Sequence, residues 1–188
     1  IPGIGGSEFK ASQDIIWSAM DGHGGVFSHA YAANEKVWVN QDEAVKLVDE
    51  FHETHTIKEI KLIEGALESI TKLLENKHKL FVITARPERF KQKVESWIEH
   101  HLKTSKIKVI HAGDFHKHQA ASKSEICREL GIKIILEDSP DTAIDCAQNN
   151  IEVILFNQPW NQAVRNLKVH RVNKWKEAMK ELSALIKS

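Results

Sequence analysis

The chain has 188 residues with 26 basic and 26 acidic side chains, so its formal net charge is zero, and 41% of its residues are hydrophobic. This length and composition predict one domain with a buried core, while the charge balance and the lack of an apolar run of about 20 residues argue against a nucleic-acid polymer or a membrane as partner. The two cysteines, Cys127 and Cys146, fall in predicted helices, so we expect buried reduced thiols and an intracellular, cytoplasmic location.

The N-terminal third gives the least regular pattern. Residues 1–9 are glycine-rich and predict a linker or a scar left by cloning. Residues 10–188 are then expected to form the single domain, with a small helical cap over roughly residues 18–60. Within that cap, residues 27–38 could be helical although their apolar period is poor, and residues 41–54 predict a helix.

Helices and strands alternate regularly from residue 65 onward. Helices are predicted at residues 65–76, 87–102, 122–130, 140–149 and 174–187, and strands at residues 80–83, 107–110, 132–138, 152–156 and 169–172. Ser122 and Glu125 fit a capping box, and Gly131 fits the position just after a helix. Alternating strands and helices predict βαβ units and therefore a parallel sheet.

A short apolar run over residues 132–136 ends in two carboxylates, Glu137 and Asp138, and Ser139 and Pro140 then fit the N-cap and first residue of a helix. This pattern predicts a strand that delivers acidic side chains to the carboxyl edge of the sheet, where open α/β sheets bind ligands. Such oxygen ligands suit Mg2+, which usually takes one or two carboxylates together with substrate phosphate. Helix capping and compensation of the helix dipole explain the same two acids structurally.

Two further polar side chains are predicted near strand and helix ends. Thr84 ends one predicted strand, and the helix that begins near Pro87 would add backbone N–H groups for an anion. Lys123 lies in the first turn of a helix, where a cation opposes the helix dipole, so neutralising a phosphate gives a reason for its position. Taken singly, a strand-end hydroxyl and a surface lysine are the structural alternatives. Together with the two acids, they favour a site for a phosphorylated ligand.

These polar residues belong to three stretches: residues 81–87 (FVITARP), 122–127 (SKSEIC) and 134–140 (IILEDSP). The stretches resemble the second, third and fourth motifs of the haloacid dehalogenase-like (HAD) superfamily of phosphotransferases. Residues 153–161 and 171–175 are similar to its branch of 5′-nucleotidases and nucleotidase-like relatives. The resemblance extends over roughly residues 37–180.

The resemblance implies an α/β fold, a Rossmann-like parallel sheet flanked by helices. It also implies Mg2+ as cofactor and a small phosphorylated molecule or nucleotide as ligand. The residues that it assigns to phosphate binding are Thr84, Ala85, Arg86 and Lys123, and those that it assigns to the metal are Glu137 and Asp138. It leaves a protein partner or a homo-oligomer open.

The first motif of the family, Asp-x-Asp, is missing or degenerate. In the family its first aspartate attacks phosphorus and its second acts as general acid and base. Residues 1–9 contain no aspartate, and in residues 19–22 Asp21 could stand for the second aspartate while Ala19 occupies the place of the nucleophile. An alanine has no lone pair with which to attack. Asp21 is therefore the one catalytic candidate, and a loop leading into the cap is the favoured interpretation of this stretch.

The missing motif also raises a structural question, since in the family its strand lies in the middle of the sheet. Each buried backbone group left unpaired costs about 1–3 kcal/mol. The place could be filled by residues 15–17, by residues 1–6, by approach of the neighbouring strands or by another chain.

Three functions follow from the sequence. The first is a HAD-like protein that lacks catalysis but keeps a phosphate and Mg2+ site, either with a role in binding or regulation or as a truncated form of an enzyme. The second is an active Mg2+-dependent phosphomonoesterase, a phosphoric monoester hydrolase of the 5′-nucleotidase kind. The third is a structural or interaction protein that uses the fold without a ligand.

Overall fold

A computed structural model describes residues 28–32, 35–39, 62–84, 88–112 and 121–187 of the chain. The chain divides into two compact units, Ile1–Glu59 and Ile60–Ser188.

The described part of the first unit is a β-hairpin of β1 (Ser28–Ala32) and β2 (Glu35–Val39), which pair antiparallel. The helix that the sequence allowed for residues 27–38 is therefore wrong. Val37 and Val39, with the tryptophan between them, favour strands, and the two-residue link between β1 and β2 is a common hairpin length. The helix predicted at residues 41–54 and the rest of the expected cap lie outside the described residues.

The second unit confirms the predicted alternation of strands and helices. Its helices are α1 (Ala66–Glu75), α2 (Lys91–Leu102), α3 (Lys123–Leu130), α4 (Pro140–Gln148) and α5 (Trp175–Leu185). Its strands are β3 (Phe81–Thr84), β4 (Lys108–His111), β5 (Ile134–Glu137), β6 (Glu152–Phe156) and β7 (Val169–Val172). Two 3-10 turns lie at Glu88–Phe90 and Pro159–Asn161.

All strand pairs of this unit are parallel, as predicted: β3 pairs with β4, and β6 lies between β5 and β7. The described strands of this unit form two sheets, because β3 and β5 do not pair with each other. Closure of the neighbouring strands, one of the possibilities for the central position, is therefore wrong for the described residues. Residues 1–6 and 15–17, which could also fill that position, lie outside the described part of the chain.

The two sheets share their cores, which lie on both faces of β6. Val153 and Leu155, both 0% exposed, pack in one cluster with residues of α3 and α4, and Ile83 of β3 packs against that cluster. Ile154, also 0% exposed, points to the opposite face and packs in a second cluster with residues of α1 and α5, where Leu80 joins it. The two-residue period of a strand therefore produces a sheet that is covered by helices on both faces.

Both cysteines are free and buried, as the sequence predicted. Cys127 of α3 and Cys146 of α4 belong to the same core cluster. A hydrogen bond from the Cys146 thiol lowers the pKa of Cys127, because it stabilises the Cys127 thiolate. The same bond raises the pKa of Cys146, because loss of the Cys146 proton would break it. The two thiols thus lie in the buried contact between α3 and α4.

An ionic cluster lies at the opposite, amino-terminal end of β6. The Glu152 carboxylate accepts hydrogen bonds from Lys168 Nζ at 2.7 Å and from His170 Nε2 at 2.9 Å. The bond from Lys168 lowers the pKa of Glu152, partial burial opposes this change, and the bond from His170 adds to it. These contacts tie the first residue of β6 to β7.

We expect Ile154→Ala to lower the free energy of unfolding by about 2–5 kcal/mol, because it removes a fully buried side chain and leaves a cavity. Leu167→Ala is the matched control, since Leu167 is 99% exposed, and its effect should stay within about 0.5 kcal/mol. Urea unfolding of the parent and both variants measures this. Equal losses in the two variants would contradict the assigned core.

The Glu152 cluster predicts acid sensitivity. Because the pKa of Glu152 is lowered in the folded state, its contribution to stability is present above the unfolded value of about 4.3 and is lost as pH falls through the lowered folded pKa. The urea midpoints of parent and Glu152→Gln should therefore converge on acidification. Glu129→Gln, which removes an exposed carboxylate of α3, is the control. A difference between parent and Glu152→Gln that is constant with pH would contradict the role of Glu152.

Candidate functional site

The carboxyl ends of β3 and β5 carry the polar side chains that the sequence predicted there. Thr84 is the last residue of β3 and is buried, at 6% exposed. Its backbone carbonyl accepts a hydrogen bond from Ala112 N at 2.9 Å. Glu137 is the last residue of β5, is also buried, and Asp138 follows it directly.

The position of Lys123 is fixed by the start of α3. Ser122 and Glu125 form the predicted capping box: Ser122 Oγ accepts from Glu125 N at 3.2 Å, and Glu125 Oε2 accepts from Ser122 N at 2.9 Å. At the other end of the helix Gly131 has a φ of 67°, as a residue at C′ commonly does. Lys123 is therefore held at the first position of a helix with defined ends.

Lys123 reaches across to the end of β5. Its Nζ lies 2.9 Å from Glu137 Oε2 and 3.2 Å from Glu137 Oε1. The side chains are only 19% and 7% exposed, respectively. This burial matters, because an exposed ion pair of the same length contributes little to stability while a buried carboxylate needs a partner. The structure thus brings together two of the predicted site residues that are 14 positions apart.

The Glu137 carboxylate also faces the start of α4. Its Oε1 accepts a hydrogen bond from the backbone N–H of Ser139 at 3.3 Å. Ser139 caps α4, accepting from Thr142 N at 3.5 Å, and Pro140 is the first residue of the helix, as predicted. A negative charge beside the N-terminus of a helix is favourable. Glu137 is therefore compensated on one side by a lysine and on the other by a helix start.

The backbone carbonyl of Asp138 is held by the turn that follows β6. It accepts hydrogen bonds from Trp160 Nε1 at 3.2 Å and from Asn161 Nδ2 at 2.8 Å. Asn161 itself is held by Arg171 of β7, whose guanidinium lies 2.6 Å from Asn161 Oδ1. The segment that carries the acidic side chains is thus bonded to the turn after β6, and Arg171 bonds that turn to β7.

Three of the predicted site residues cannot be placed. Ala85 and Arg86, predicted to contact phosphate, and Asp21, the catalytic candidate, lie outside the described residues. Their roles stay predictions.

Some polar residues of this edge were missed in the sequence. His111 ends β4 in register with Thr84, but the predicted strand stopped one residue earlier. Trp160 and Asn161 interrupt the predicted alternation and, with Arg171, belong to the family resemblance, but the sequence assigned no role to these three residues. A turn that combines Pro, Trp and Asn after a strand was the available signal, since such a turn needs specific hydrogen-bond partners.

The donor set fits Mg2+ better than a metal held by many side chains. In the described part of the chain, no group of three or more His, Cys, Asp and Glu side chains could hold a metal ion. Mg2+ needs only one or two protein carboxylates and keeps water or phosphate oxygens as its other ligands. Glu137 and Asp138, adjacent at a strand end, meet that requirement.

A parallel α/β sheet with polar side chains at its carboxyl edge is typical of α/β proteins that bind a ligand there. The sequence profile described as "Haloacid dehalogenase-like hydrolase" matches residues 26–156. The chain therefore belongs to the haloacid dehalogenase-like hydrolases, as its motifs indicated.

Two curated relatives are similar to the chain. "Putative nucleotidase YqfW" of Bacillus subtilis is 31% identical over 144 residues, which are 76% of this chain and 65% of the relative. "Putative nucleotidase OB0422" of Oceanobacillus iheyensis is 23% identical over 124 residues, which are 66% of this chain and 64% of the relative. The matches therefore span less than two thirds of the length of either relative. No solved structure matches the chain significantly. Within the described residues, no helix is long and apolar enough to cross a membrane.

We expect Lys123→Met to destabilise the protein by about 3 kcal/mol, because it leaves the Glu137 carboxylate buried without its cation. The double variant Lys123→Met/Glu137→Gln should recover part of this loss, since the uncompensated charge is gone. Lys72→Met is the control: its pair with Glu68 is as short, at 2.6 Å, but 58% and 71% exposed. The control should leave the urea midpoint unchanged. A Lys123→Met variant as stable as the control would contradict the buried ion pair.

Proposed function

We propose that this chain binds a small phosphorylated molecule, with a nucleotide as the favoured class, together with Mg2+ at the carboxyl edge of its sheets. We also propose that, with the sequence given, it does not turn this ligand over. The observation that carries the binding proposal is the buried contact between Lys123 and Glu137, directly before Asp138. At this edge the lysine supplies positive charge for a phosphate, and the two acids supply negative charge for Mg2+.

The roles divide among four residues. Thr84 offers a hydroxyl at the end of β3, and Lys123 offers positive charge to the phosphate. Asp138 and Glu137 would hold Mg2+. When bound, the ion neutralises phosphate charge and draws electron density from the phosphoryl oxygens.

The ion pair is compatible with phosphate binding. A lysine ammonium carries three N–H donors in tetrahedral arrangement. Contacts with the two oxygens of Glu137 use at most two of them. One donor of Lys123 therefore stays available for a phosphate oxygen while the carboxylate remains compensated. Mg2+ on the acids would weaken the hold of Glu137 on the ammonium and strengthen this contact, so Mg2+ and phosphate should bind with positive cooperativity.

The absence of turnover is proposed from the sequence of the first motif. The covalent route of the family needs a carboxylate nucleophile, and Ala19 stands at the corresponding place of the one stretch that imitates the motif. Without that nucleophile, the phosphate and metal groups can bind a ligand but have no group to which to transfer phosphorus. The two free buried thiols also fit a reducing, intracellular compartment.

An active Mg2+-dependent phosphomonoesterase is the second candidate. The observation that favours it is that both similar proteins are named putative nucleotidases. In that case Asp21 would act as general acid and base, and the nucleophile would be a group other than Ala19. Phosphate release from a panel of nucleotides and sugar phosphates, with Mg2+ and with EDTA, separates the two candidates. Release no faster than the EDTA blank supports binding alone, and Mg2+-dependent release that is lost in Asp21→Asn supports the enzyme.

We expect millimolar Mg2+ to raise the melting temperature of the parent, and Asp138→Asn to abolish this rise. A ligand at about 100 times its dissociation constant stabilises by about 2.7 kcal/mol. In EDTA the variant should be as stable as the parent or more stable, because it removes one of two adjacent like charges. Asp145→Asn, on α4, is the control and should keep the Mg2+ effect.

The opposite pattern would refute the ligand site. If Asp138→Asn melts well below the parent in EDTA and Mg2+ shifts neither protein, the two acids serve only the capping of α4. The fold would then be used without this ligand.

A further inference from the structure

The turn Pro159–Asn161 contains a fully buried asparagine whose hydrogen bonds are all used. Asn161 is 0% exposed. Its Nδ2 donates to the backbone carbonyls of Asp138 and Phe156, each at 2.8 Å. Its Oδ1 accepts from Arg171 at 2.6 Å and from Gln158 N at 3.2 Å. Two donors and two acceptor positions are the full capacity of a carboxamide, so the orientation of this side chain is determined.

These bonds join the carboxyl ends of two neighbouring strands. Phe156 is the last residue of β6, and Asp138 directly follows β5. Trp160 adds a second donor to the same Asp138 carbonyl, so both lone pairs of that oxygen are used. The backbone rotation that would swing the Asp138 carbonyl away from the turn therefore has to break two hydrogen bonds at once.

A fixed backbone conformation also restricts the side chain of the same residue. The orientation of the Asp138 carbonyl restricts the backbone dihedral angles of that residue, and these set the direction of its Cα–Cβ bond and the rotamers it can adopt. The other acid of the pair, Glu137, is held by Lys123 and by the Ser139 N–H. The turn after β6 holds the backbone carbonyl of Asp138.

We propose that Asn161, assisted by Trp160, is a positioning residue that directs the Asp138 carboxylate toward Mg2+ without touching the ion. This inference rests on the Mg2+ site of the proposed function and extends it to residues that have no contact with either ligand. Residues that orient the groups around a metal typically change its affinity about 10–100-fold when they are replaced.

Asn161→Asp tests the role with almost no change of shape. The carboxylate keeps an acceptor for Arg171 but loses both donors to the backbone carbonyls. Asn157→Asp is the matched control, because it makes the same chemical change beside the same arginine. Asn157 Oδ1 accepts from Arg171 at 3.0 Å. Its Nδ2 donates to Asn173 and not to Asp138. Both variants add one negative charge beside Arg171, so a general effect of charge on Mg2+ acts in both.

The measurement is the dissociation constant of Mg2+ alone by titration calorimetry, well below the melting temperature of each protein. We expect Asn161→Asp to weaken Mg2+ binding about 10–100-fold relative to Asn157→Asp. Trp160→Phe, which removes one donor and no charge, should weaken it less and in the same direction. It also keeps the test valid if Asn161→Asp does not fold. A loss of melting temperature with equal Mg2+ affinity in all variants would show that the turn is only structural, and would overturn the proposal.

A second readout separates this inference from the proposed function. If the parent binds no Mg2+, the proposed function fails, and hydrogen exchange of the Ser139 amide in EDTA then decides whether the turn holds the segment. Faster exchange in Asn161→Asp than in Asn157→Asp supports the hold of the turn on the Asp138 backbone. Equal exchange in the two variants overturns it.

Discussion

The contact between Lys123 and Glu137 is the interaction on which the arrangement of this edge depends. A carboxylate that is 7% exposed is stable only with compensation. Two separate elements supply it: the lysine at the start of α3 and the Ser139 N–H at the start of α4. Each helix must therefore begin close to its observed residue. The capping box at Ser122 and the serine–proline start of α4 are the local sequence features that place those beginnings.

The rest of the fold supports this edge through two shared cores. Alternate residues of β6 pack against opposite layers of helices, and side chains from β3 and the residue before it join the same clusters, so the two sheets are held together by packing. Hydrogen bonds between β3 and β5 are not part of that arrangement in the described residues. The polar groups of the proposed ligand site come from the ends of both sheets: Thr84 ends β3, and Glu137, which Lys123 of α3 contacts, ends β5. What occupies the region between β3 and β5 therefore bears directly on the proposed ligand site.

Local sequence signals predicted the regular half of the molecule because they depend on nearby residues. The capping box at Ser122, the glycine after α3 and the acidic end of β5 each follow from a few adjacent side chains, and all are found. The hairpin at residues 28–39 was missed because its weak alternation also fits a poor helix, and the link that makes it a hairpin is only two residues long. The bonds of Asn161 could not be predicted, since its partners lie 5, 10 and 23 positions away and only the folded chain brings them together.

A crystal structure of the protein with Mg2+ and phosphate added is the most direct test of the joint site proposed at Lys123, Glu137 and Asp138. We expect an ion about 2.1 Å from a carboxylate oxygen of Asp138, with a phosphate oxygen bound both to the ion and to Lys123 Nζ. Phosphate and Mg2+ that bind elsewhere, or an edge in which Lys123 still contacts only Glu137 at saturating ligand, would contradict the account.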